Sequence, residues 1–469
     1  MTDKPLRQVR LAAAFPGVNN TTVWSDPRAG SQIDFSSFVH LAQTAEAAKF
    51  DFFFLAEGLR LREKKGLIHD LDVVGRPDTL PVLAALAAVT TDIGLVGTIN
   101  ATFNEPFELA RQFASLDHLS GGRAGWNLVT SSDAFTGENF RRGGYLSYTE
   151  RYERAAELLD VARTLWDSWP DDAVVADGER GRFWSDPDTG AFAHHGDHFD
   201  VRGQFSVPAS PQRYPVILQA GDSEAGRDFG GAYADGIFTL VRDIDESRTY
   251  YRELKARKVA IGGSPGDLLI LPGATFALGD TTAEAHENAA AIRSQQVSGA
   301  TAIGFLEEIW NRDLSAYDPD GPLPDVGPEL DAPAIVQGKS RITKDPVAVI
   351  EQWRHLADTK NLSIRELVVE ISGTQSFIGT PAEVAEQINH RVQTDAADGF
   401  ILAPHLTPSG LDEFAAKVVP ELQERGVFRT EYTGATLREN LGLPTASARP
   451  WPHDTLLTHA STAAAPTNA

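Results

Sequence analysis

The chain of 469 residues contains no cysteine. Disulfide bonds, thiolate catalysis, cysteine-bound zinc and iron–sulfur clusters are therefore excluded. Basic residues are also scarce, because 42 Lys and Arg stand against 65 Asp and Glu, which gives a formal net charge of −23. A chain this acidic is not expected to bind nucleic acid or an anionic membrane surface.

Long hydrophobic runs are missing as well. No stretch of about 20 apolar residues could cross a membrane, and the segment from Met1 to Arg7 does not have the pattern of a signal peptide. We therefore expect a cytoplasmic protein. A Gly-x-Gly-x-x-Gly fingerprint after a strand is absent too, so no dinucleotide-binding domain is indicated.

Short apolar segments alternate with segments of helical spacing along most of the chain. We interpret as strands the residues 9–15, 51–56, 93–98, 124–129, 215–219, 236–240, 268–276, 366–371 and 399–403. Strands that are apolar throughout and separated by helices are typical of a parallel sheet buried on both faces. About eight such units favour a closed (β/α)8 TIM barrel, an α/β fold, over an open sheet. We expect one such domain over residues 1–443.

Three stretches interrupt this alternation, near residues 60–78, 171–212 and 297–344. Loops this long in a compact domain are usually functional lids or disordered. We therefore predict insertions at the mouth of the barrel. Residues 444–469 are rich in Pro, Ala and Thr, and we expect them to form an arm or a disordered tail.

Two of the predicted strands run directly into small and polar residues, in the stretches Ser120–Ser132 and Val216–Gly226. Ligands of parallel α/β proteins lie at such strand ends. In the second stretch Gly221 lets the backbone come close, Ser223 offers a hydroxyl, and the N–H groups of a helix start favour an anion. A phosphate site and an ordinary serine N-cap both remain open here.

Together the two stretches resemble the bacterial-luciferase-like flavin monooxygenases, in the branch that holds nitrilotriacetate monooxygenase and dibenzothiophene-sulfone monooxygenase. The resemblance runs from about Arg10 to Leu443. Each further matching piece is short, but their order and spacing also match the family. These pieces are Phe54–Gly58, Leu116–Arg123, Val201–Gly203 with Ser210–Gln212, Ala397–Phe400 and Phe428–Glu439.

The resemblance implies the oxygenase component of a two-component system. A separate NAD(P)H:flavin reductase supplies reduced FMN (FMNH2), O2 converts it to a C4a-hydroperoxyflavin, and one oxygen atom is inserted into a small substrate. The relatives form homodimers or homotetramers, and the tail from Phe428 onwards resembles an arm that reaches a neighbouring subunit. Two other function classes stay open, a deazaflavin-dependent dehydrogenase and a non-catalytic flavin-binding protein.

By resemblance, Asn127 and Val129 meet the ring or ribityl part of the flavin, with Thr98 and Thr102 near the ring. Tyr152 and Ser223 hold the phosphate together with backbone groups, although Tyr152 could instead pack its ring on the barrel. Glu57 stands where many relatives have Asp, and either flavin contact or pairing with an arginine fits it. The complete set of candidates is Glu57, Thr98, Thr102, Asn127, Val129, Tyr152, Ala220, Gly221, Asp222 and Ser223.

The resemblance leaves the catalytic side chains unknown, because two histidines of the family are missing. The matching positions lie in Thr21–Trp24 and Glu308–Tyr317. We predict an apolar, aromatic or heteroaromatic substrate, with possible loss of halogen or sulfur, in a pocket walled by Phe15, Trp24, Phe53, Phe103 and Trp310. Core packing is the alternative for each of these aromatic residues. An aminopolycarboxylate, which could meet Arg60, Arg62, Lys64 and Lys65, a sulfone and an alkane remain alternative substrates.

Three histidines, His194, His195 and His198, raise the question of a metal site. Adjacent residues of an extended segment point to opposite faces, and no carboxylate or cysteine in the sequence completes an obvious ligand set. We therefore expect no metal.

Overall fold

The computed structural model describes residues 6–68, 75–131, 134–140, 146, 150–337, 345–373, 375–446 and 451. The strands are β1 (Arg10–Phe15), β2 (Phe52–Leu55), β3 (Glu63–Lys64), β4 (Leu67–Ile68), β5 (Gly94–Asn100), β6 (Ala124–Val129), β7 (Val174–Asp177), β8 (Arg182–Trp184), β9 (Ala191–His195), β10 (Asp200–Gln204), β11 (Val216–Gln219), β12 (Gly236–Leu240), β13 (Leu269–Ala274), β14 (Phe276–Leu278), β15 (Val336–Gln337), β16 (Phe377–Gly379) and β17 (Gly399–Leu402). The helices are α1 (Phe35–Ala47), α2 (Thr79–Ala87), α3 (Pro106–Ser120), α4 (Ala134–Gly137), α5 (Glu150–Asp167), α6 (Glu224–Tyr233), α7 (Ile244–Ala260), α8 (Thr282–Gln296), α9 (Gly299–Trp310), α10 (Pro346–Lys360), α11 (Ile364–Ile371), α12 (Pro381–Gln393), α13 (Asp412–Glu424) and α14 (Leu437–Leu441).

Eight parallel strands form a closed barrel, in the order β1-β17-β13-β12-β11-β6-β5-β2. Helices follow most of these strands and cover the outside of the barrel. The predicted fold class, an α/β protein built on a (β/α)8 barrel, is confirmed. The C-terminal ends of all eight strands therefore open at one end of the barrel, which we call the mouth, and their N-terminal ends meet at the other, the bottom.

The barrel strands are apolar throughout because their side chains alternate between the interior and the surrounding helices. In β2, Phe52 and Phe54 belong to the cluster inside the barrel, whereas Phe53 and Leu55 belong to the larger cluster beneath the helices. Both faces are therefore buried, and a four-residue strand contributes to two cores.

The predicted strand at residues 366–371 is wrong, because this segment lies in helix α11. Ser363 caps the helix by accepting from the backbone N–H of Glu366, and the Glu366 carboxylate accepts from the backbone N–H of Ser363. Such a capping box is a start signal for a helix. Ile364 and Leu367 are buried one turn apart, so the apolar spacing is helical rather than alternating.

The bottom of the barrel is closed by the chain's own segment 428–443. Leu437 projects into the barrel, where a Cβ on Gly94 would lie 2.9 Å from its Cδ2 atom. Arg438 forms a buried ion pair with Asp235 at 3.1 Å. The interior cluster includes Leu437, Leu441 and Leu443. These three leucines therefore pack inside the chain's own barrel, and the predicted arm towards a neighbouring subunit stays a prediction.

The first and third insertions meet each other. Strand β15 pairs with β3 in antiparallel fashion. The carboxylate of Glu307, in α9, is buried between the ammonium groups of Lys64 and Lys65. Helices α9, α10 and α11 share a hydrophobic cluster of their own. The second insertion forms the antiparallel hairpins β7–β8 and β9–β10.

Parts of the predicted insertions and tail lie outside the described residues, namely 69–74, 338–344, 447–450 and 452–469. In the described part of the tail, Trp451 is buried, with its ring centroid 5.8 Å from that of Tyr214. None of the helices in the described ranges combines the length and the apolar character needed to cross a membrane.

Candidate functional site

The mouth brings Thr98 of β5 and Asn127 of β6 side by side. The two residues are register partners, and alternation directs both into the barrel, because their neighbours Ile99 and Leu128 pack outwards. The Asn127 Nδ2 donates to the Thr98 Oγ1 at 2.9 Å, and both residues are buried. The Oδ1 of Asn127 is buried and has no hydrogen-bond partner. A buried amide oxygen without a donor is costly, so this atom is ready to accept from a ligand N–H.

Asn100, at the end of β5, holds Glu57 in place. The Glu57 Oε2 accepts from the backbone N–H of Asn100 at 3.0 Å and from its Nδ2 at 3.1 Å. Burial raises the pKa of Glu57 to about 7 from an ordinary 4.5. Of the two interpretations left open for Glu57, structural pairing is seen, but with an asparagine rather than an arginine. A carboxyl group with this pKa can gain or lose a proton near neutral pH.

Two other predicted residues lie along the same rim. Thr102 is buried, and its hydroxyl donates to the carbonyl of Ser131 at 3.2 Å. Val129 ends β6, is half-buried, and accepts through its carbonyl from the N–H of Ala101 at 2.9 Å. These contacts tie the loops after β5 and β6 together and keep the Thr98–Asn127 side of the mouth in shape.

The turn between β11 and α6 forms a tight cradle. A Cβ added to Gly221 would lie 2.9 Å from the Cα of Gly226, and a Cβ added to Gly226 would lie 3.0 Å from the hydroxyl of Tyr152. Ser223 caps α6 by accepting from the Gly226 N–H at 3.2 Å. Ala220 is exposed and Gly221 is half-buried, so the turn is open to a ligand. The N-cap interpretation of Ser223 is confirmed, and the phosphate site stays a prediction: the Ser223 hydroxyl proton remains available beside the first N–H groups of the helix.

Asp222 is the acidic member of this cradle, and two arginines neutralise it. Its carboxylate pairs with Arg227 at 3.2 Å and with Arg242 at hydrogen-bonding distance. Arg242 also lies over the ring of Tyr250, 4.4 Å from the centroid, and donates to Thr239. The exposed carboxylate therefore does not leave the cradle with an uncompensated negative charge.

Phe15 and Phe53 do not wall the mouth, so that prediction is corrected. Phe15 stacks on Phe38 of α1 with ring centroids 4.0 Å apart, and Phe53 packs in the same layer beneath the helices. The physical reason is strand alternation, because Phe54 rather than Phe53 points into the barrel. Phe54 stacks on Phe238 of β12, 5.7 Å between centroids.

The other three aromatic residues predicted to line the pocket lie in different environments. Trp310 is fully buried in the cluster of α9, α10 and α11, where its Nε1 donates to the carbonyl of Val326, so it is a core residue of the insertion. Trp24 is exposed in the loop after β1. Phe103 is half-buried after β5 and stacks on Phe140, with centroids 4.5 Å apart. Only Trp24 and Phe103 therefore stand where a ligand at the mouth could meet them.

The basic residues of the first insertion are engaged with acidic ones. Arg60 pairs with Glu138 at 2.8 Å, and Lys65 pairs with Glu307 at 3.0 Å. Among the histidines of the second insertion, His194 contacts Glu157 at 3.0 Å. No group of three or more His, Cys, Asp or Glu that could hold a metal ion occurs within the described residues.

Sequence reasoning missed three polar residues that follow apolar strands. Asn100 ends β5, Arg242 comes shortly after β12, and His405 comes shortly after β17. The Nδ1 of His405 is buried without a partner, and burial lowers the pKa of its ring. The signal that identified Asn127, a polar residue at the end of an apolar strand, would have found all three.

The chain has clear relatives among known proteins. The family model described as luciferase-like monooxygenase matches residues 18–399. N-acetyl-S-(2-succino)cysteine monooxygenase of Bacillus subtilis is 38% identical over 94% of this chain and 98% of that protein. Component A of the nitrilotriacetate monooxygenase of Aminobacter aminovorans is 38% identical over 87% of this chain and 90% of that protein. A crystal structure of riboflavin lyase with modified FMN and riboflavin matches with a TM-score of 0.75 and 29% identity, over 94% of this chain and 97% of that one.

Proposed function

Because this chain belongs to the family of luciferase-like monooxygenases, we propose that it is the oxygenase of a two-component flavin system. It takes reduced FMN from a separate NAD(P)H:flavin reductase and transfers one atom of O2 to a small organic substrate, while the other atom leaves as water. The buried, partnerless Oδ1 of Asn127 is the observation that carries this proposal, because it lies on a strand that ends at the mouth and needs a donor such as a flavin ring N–H.

The residues at the mouth fit FMN. Tyr152, Ser223 and the backbone N–H groups of Gly221 and Asp222 would hold the phosphate, which needs several neutral donors. Asn127, with Thr98 and Val129, would meet the ring and the ribityl chain. The close approach of Gly221 and Gly226 leaves no room for a side chain between the turn and α6. When bound, the reduced flavin supplies the electrons that activate O2.

The protein's own contribution is to bind, orient and keep water out. The first and third insertions are joined by β15–β3 pairing and by Glu307, and in this proposal they shield the bound flavin from water. Glu57 can hold or release a proton close to neutral pH at the Asn100 side. With the two family histidines missing, positioning and desolvation carry most of the work.

The substrate predicted from sequence was an apolar aromatic molecule. That prediction depended on five aromatic side chains, and Phe15, Phe53 and Trp310 lie elsewhere. The proposed function therefore keeps a small organic substrate, for which an aromatic molecule, an aminopolycarboxylate, a sulfone and an alkane are the candidates to compare.

The test begins with anaerobic titration of the protein by reduced FMN, followed by fluorescence. Wild type is expected to bind, and Ser223→Ala and Tyr152→Phe are expected to bind several-fold more weakly. Ser363→Ala is the matched control, since Ser363 also caps a helix, but that helix is α11 rather than α6. Equal affinity of all four proteins for reduced FMN would contradict the assignment of Tyr152 and Ser223 to the phosphate.

The second step mixes the complex with O2 and records the flavin absorbance. A species distinct from reduced and oxidised FMN should persist. Its decay should accelerate with one compound of a panel of nitrilotriacetate, N-acetyl-S-(2-succino)cysteine, dibenzothiophene sulfone and a long-chain alkane. Reoxidation at the rate of free reduced FMN, with and without every compound, would contradict an oxygenase. A deazaflavin-dependent dehydrogenase or a binding protein would then be examined.

A further inference from the structure

Arg76 stands out among the arginines at the mouth. It lies just before α2, against the loops that follow β1 and β2: its Nε would be 3.7 Å from a Cβ on Gly17. The one hydrogen bond that its guanidinium makes to the described residues is a long one, from NH1 to the carbonyl of Ala56 at 3.3 Å. The Nε is buried and has no partner. Arg76 as a whole is half-buried, and a single hydrogen bond joins its guanidinium to the described residues.

Two fully buried arginines of this chain are held by an ion pair or by several hydrogen bonds, although the Nε of Arg438 also lacks a partner. Arg438 pairs with Asp235, and Arg123 donates to the hydroxyl of Thr90 and to four backbone carbonyls. Arg76, by contrast, makes no ion pair with any residue in the described ranges. Buried charges in proteins are normally paired, because an uncompensated charge is expensive to desolvate. In a chain with a net charge of −23, a missing carboxylate is not explained by a shortage of acidic residues.

A second guanidinium, that of Arg62, is close enough to act on Arg76. Burial and the positive charge of Arg62 together lower the pKa of Arg76. Burial also lowers the pKa of Arg62, while Glu308 opposes that change. Two like charges held near each other raise the local positive potential, and an anion placed between them would relieve the repulsion.

Arg76 is placed on the correct side of the mouth to meet a molecule beside the flavin. Its partner Ala56 follows β2, the strand next to β5 in the barrel. The adjacent Glu57 is bonded to Asn100 at the end of β5. The candidate flavin residues occupy the ends of β5, β6 and β11, so a ligand at Arg76 would lie on the neighbouring β1–β2 side.

We propose that Arg76 binds a carboxylate of the substrate, and that this enzyme therefore acts on a small organic carboxylate rather than on a neutral aromatic molecule. This inference rests on the proposed function. A guanidinium presents paired N–H donors that match the two oxygens of a carboxylate, and Arg76 uses one hydrogen bond within the described residues. Arg62 adds attraction from the same side.

The experiment is isothermal titration calorimetry with acetate, succinate and nitrilotriacetate, under anaerobic conditions, with and without reduced FMN. Wild type should bind at least one of them with a dissociation constant below about 10 mM, that is, a binding free energy of roughly −3 kcal/mol. Arg76→Gln should weaken that binding at least tenfold, and Arg76→Lys should weaken it less, because it keeps the charge. Arg425→Gln is the matched control, since Arg425 follows α13, is paired with Glu386 at 3.2 Å and also has a buried Nε without a partner; its affinity should equal that of wild type.

Three results would overturn the proposal: no binding of any of the three compounds, equal binding by wild type and Arg76→Gln, or loss of reduced-FMN affinity in Arg76→Gln. The last would show that Arg76 serves the flavin. Failure of wild type to bind reduced FMN would contradict the proposed function instead, and the titrations without flavin would still decide the role of Arg76. The melting temperatures of all variants separate loss of the site from loss of the fold.

Discussion

The two ends of the barrel are made by the same strands but differ in how their buried polar groups are paired. At the bottom, segment 428–443 enters the barrel, and Arg438 is matched to Asp235 inside it. At the mouth, the Oδ1 of Asn127 and the Nε of Arg76 are buried without partners. Glu57 sits in surroundings that raise its pKa to about 7. Unpartnered atoms also occur at the bottom, at the Nε of Arg438 and the NH1 of Arg429, but both of these arginines are ion-paired, whereas Arg76 has no ion pair with a described residue.

This difference has a physical basis. A polar group that is buried and paired contributes to stability or at least costs nothing, whereas one that is buried and unpaired costs about 1–3 kcal/mol. Unpaired groups at the mouth therefore lower the free energy of unfolding, and interactions elsewhere in the fold compensate. This is common at sites where charges or donors are arranged for a ligand. Substitutions at the bottom should change stability and leave flavin binding alone, and substitutions at the mouth should do the reverse.

The largest expected effect is at the bottom. Arg438→Gln removes the buried guanidinium that is ion-paired with Asp235, whose side chain is 1% exposed. We expect the free energy of unfolding to fall by about 3–5 kcal/mol, measured from urea denaturation. Arg111→Gln, which breaks an exposed pair with Glu108, should change it little. If Arg438→Gln kept its stability but lost reduced-FMN affinity, the division between the two ends would be wrong.

Leu437→Ala tests the closure of the bottom by packing alone. Removing this buried side chain opens a cavity among the interior residues, and we expect a loss of about 2–5 kcal/mol. The control is Leu119→Ala, because Leu119 is 68% exposed and its loss opens no cavity. Denaturation midpoints of the two variants give the comparison. Similar midpoints would mean that segment 428–443 is dispensable for closure.

Much of the fold could be predicted from sequence because the strands are short, apolar and bounded by helices. The segment Phe52–Leu55 is an example, since only a strand buried on both faces needs four consecutive apolar residues there. Helix α11 was missed because its capping box, Ser363 with Glu366, outweighs a short apolar run. The insertion of Leu437 into the barrel has no local signal, since it depends on a space formed by distant strands.

The candidate site was predictable to the extent that it follows strand ends. Thr98 and Asn127 were found in this way, and they are in contact. Phe15 and Phe53 were assigned to the wrong face, because in a strand that is apolar throughout nothing local tells which alternate residue points inwards. Arg76 could not be singled out, since its lack of a partner is a property of the folded chain.

At the mouth, Glu57 should make stability depend on pH. Its pKa is about 7 in the folded protein against an ordinary 4.5, so folding favours the protonated form. The stabilisation is present in full below 4.5 and is lost as the pH rises through 7, by at most about 3 kcal/mol. Relative to Glu57→Gln, wild type should thus lose stability over this window in urea denaturation. Glu108→Gln, an exposed control, should follow wild type; a constant difference between wild type and Glu57→Gln would contradict the raised pKa.

The smallest expected effect separates the two ends most cleanly. Asn127→Leu removes a buried oxygen that has no donor, and this gain offsets the lost Nδ2 bond to the Thr98 hydroxyl. The free energy of unfolding should therefore stay about equal, while the affinity for reduced FMN falls about tenfold, or about 1.4 kcal/mol. Gln423→Leu makes the matched change near the bottom, where the Gln423 Nε2 donates to the carbonyl of Arg429 at 2.8 Å. It should lower stability and leave flavin affinity unchanged. The comparison requires that Asn127→Leu keeps its stability and loses affinity for reduced FMN, and that Gln423→Leu does the reverse. Urea denaturation and anaerobic titration of the same preparations measure the two quantities. If both variants lost stability and neither lost flavin, Asn127 would belong to the scaffold, and the ligand would have to be sought on the Arg76 side of the mouth.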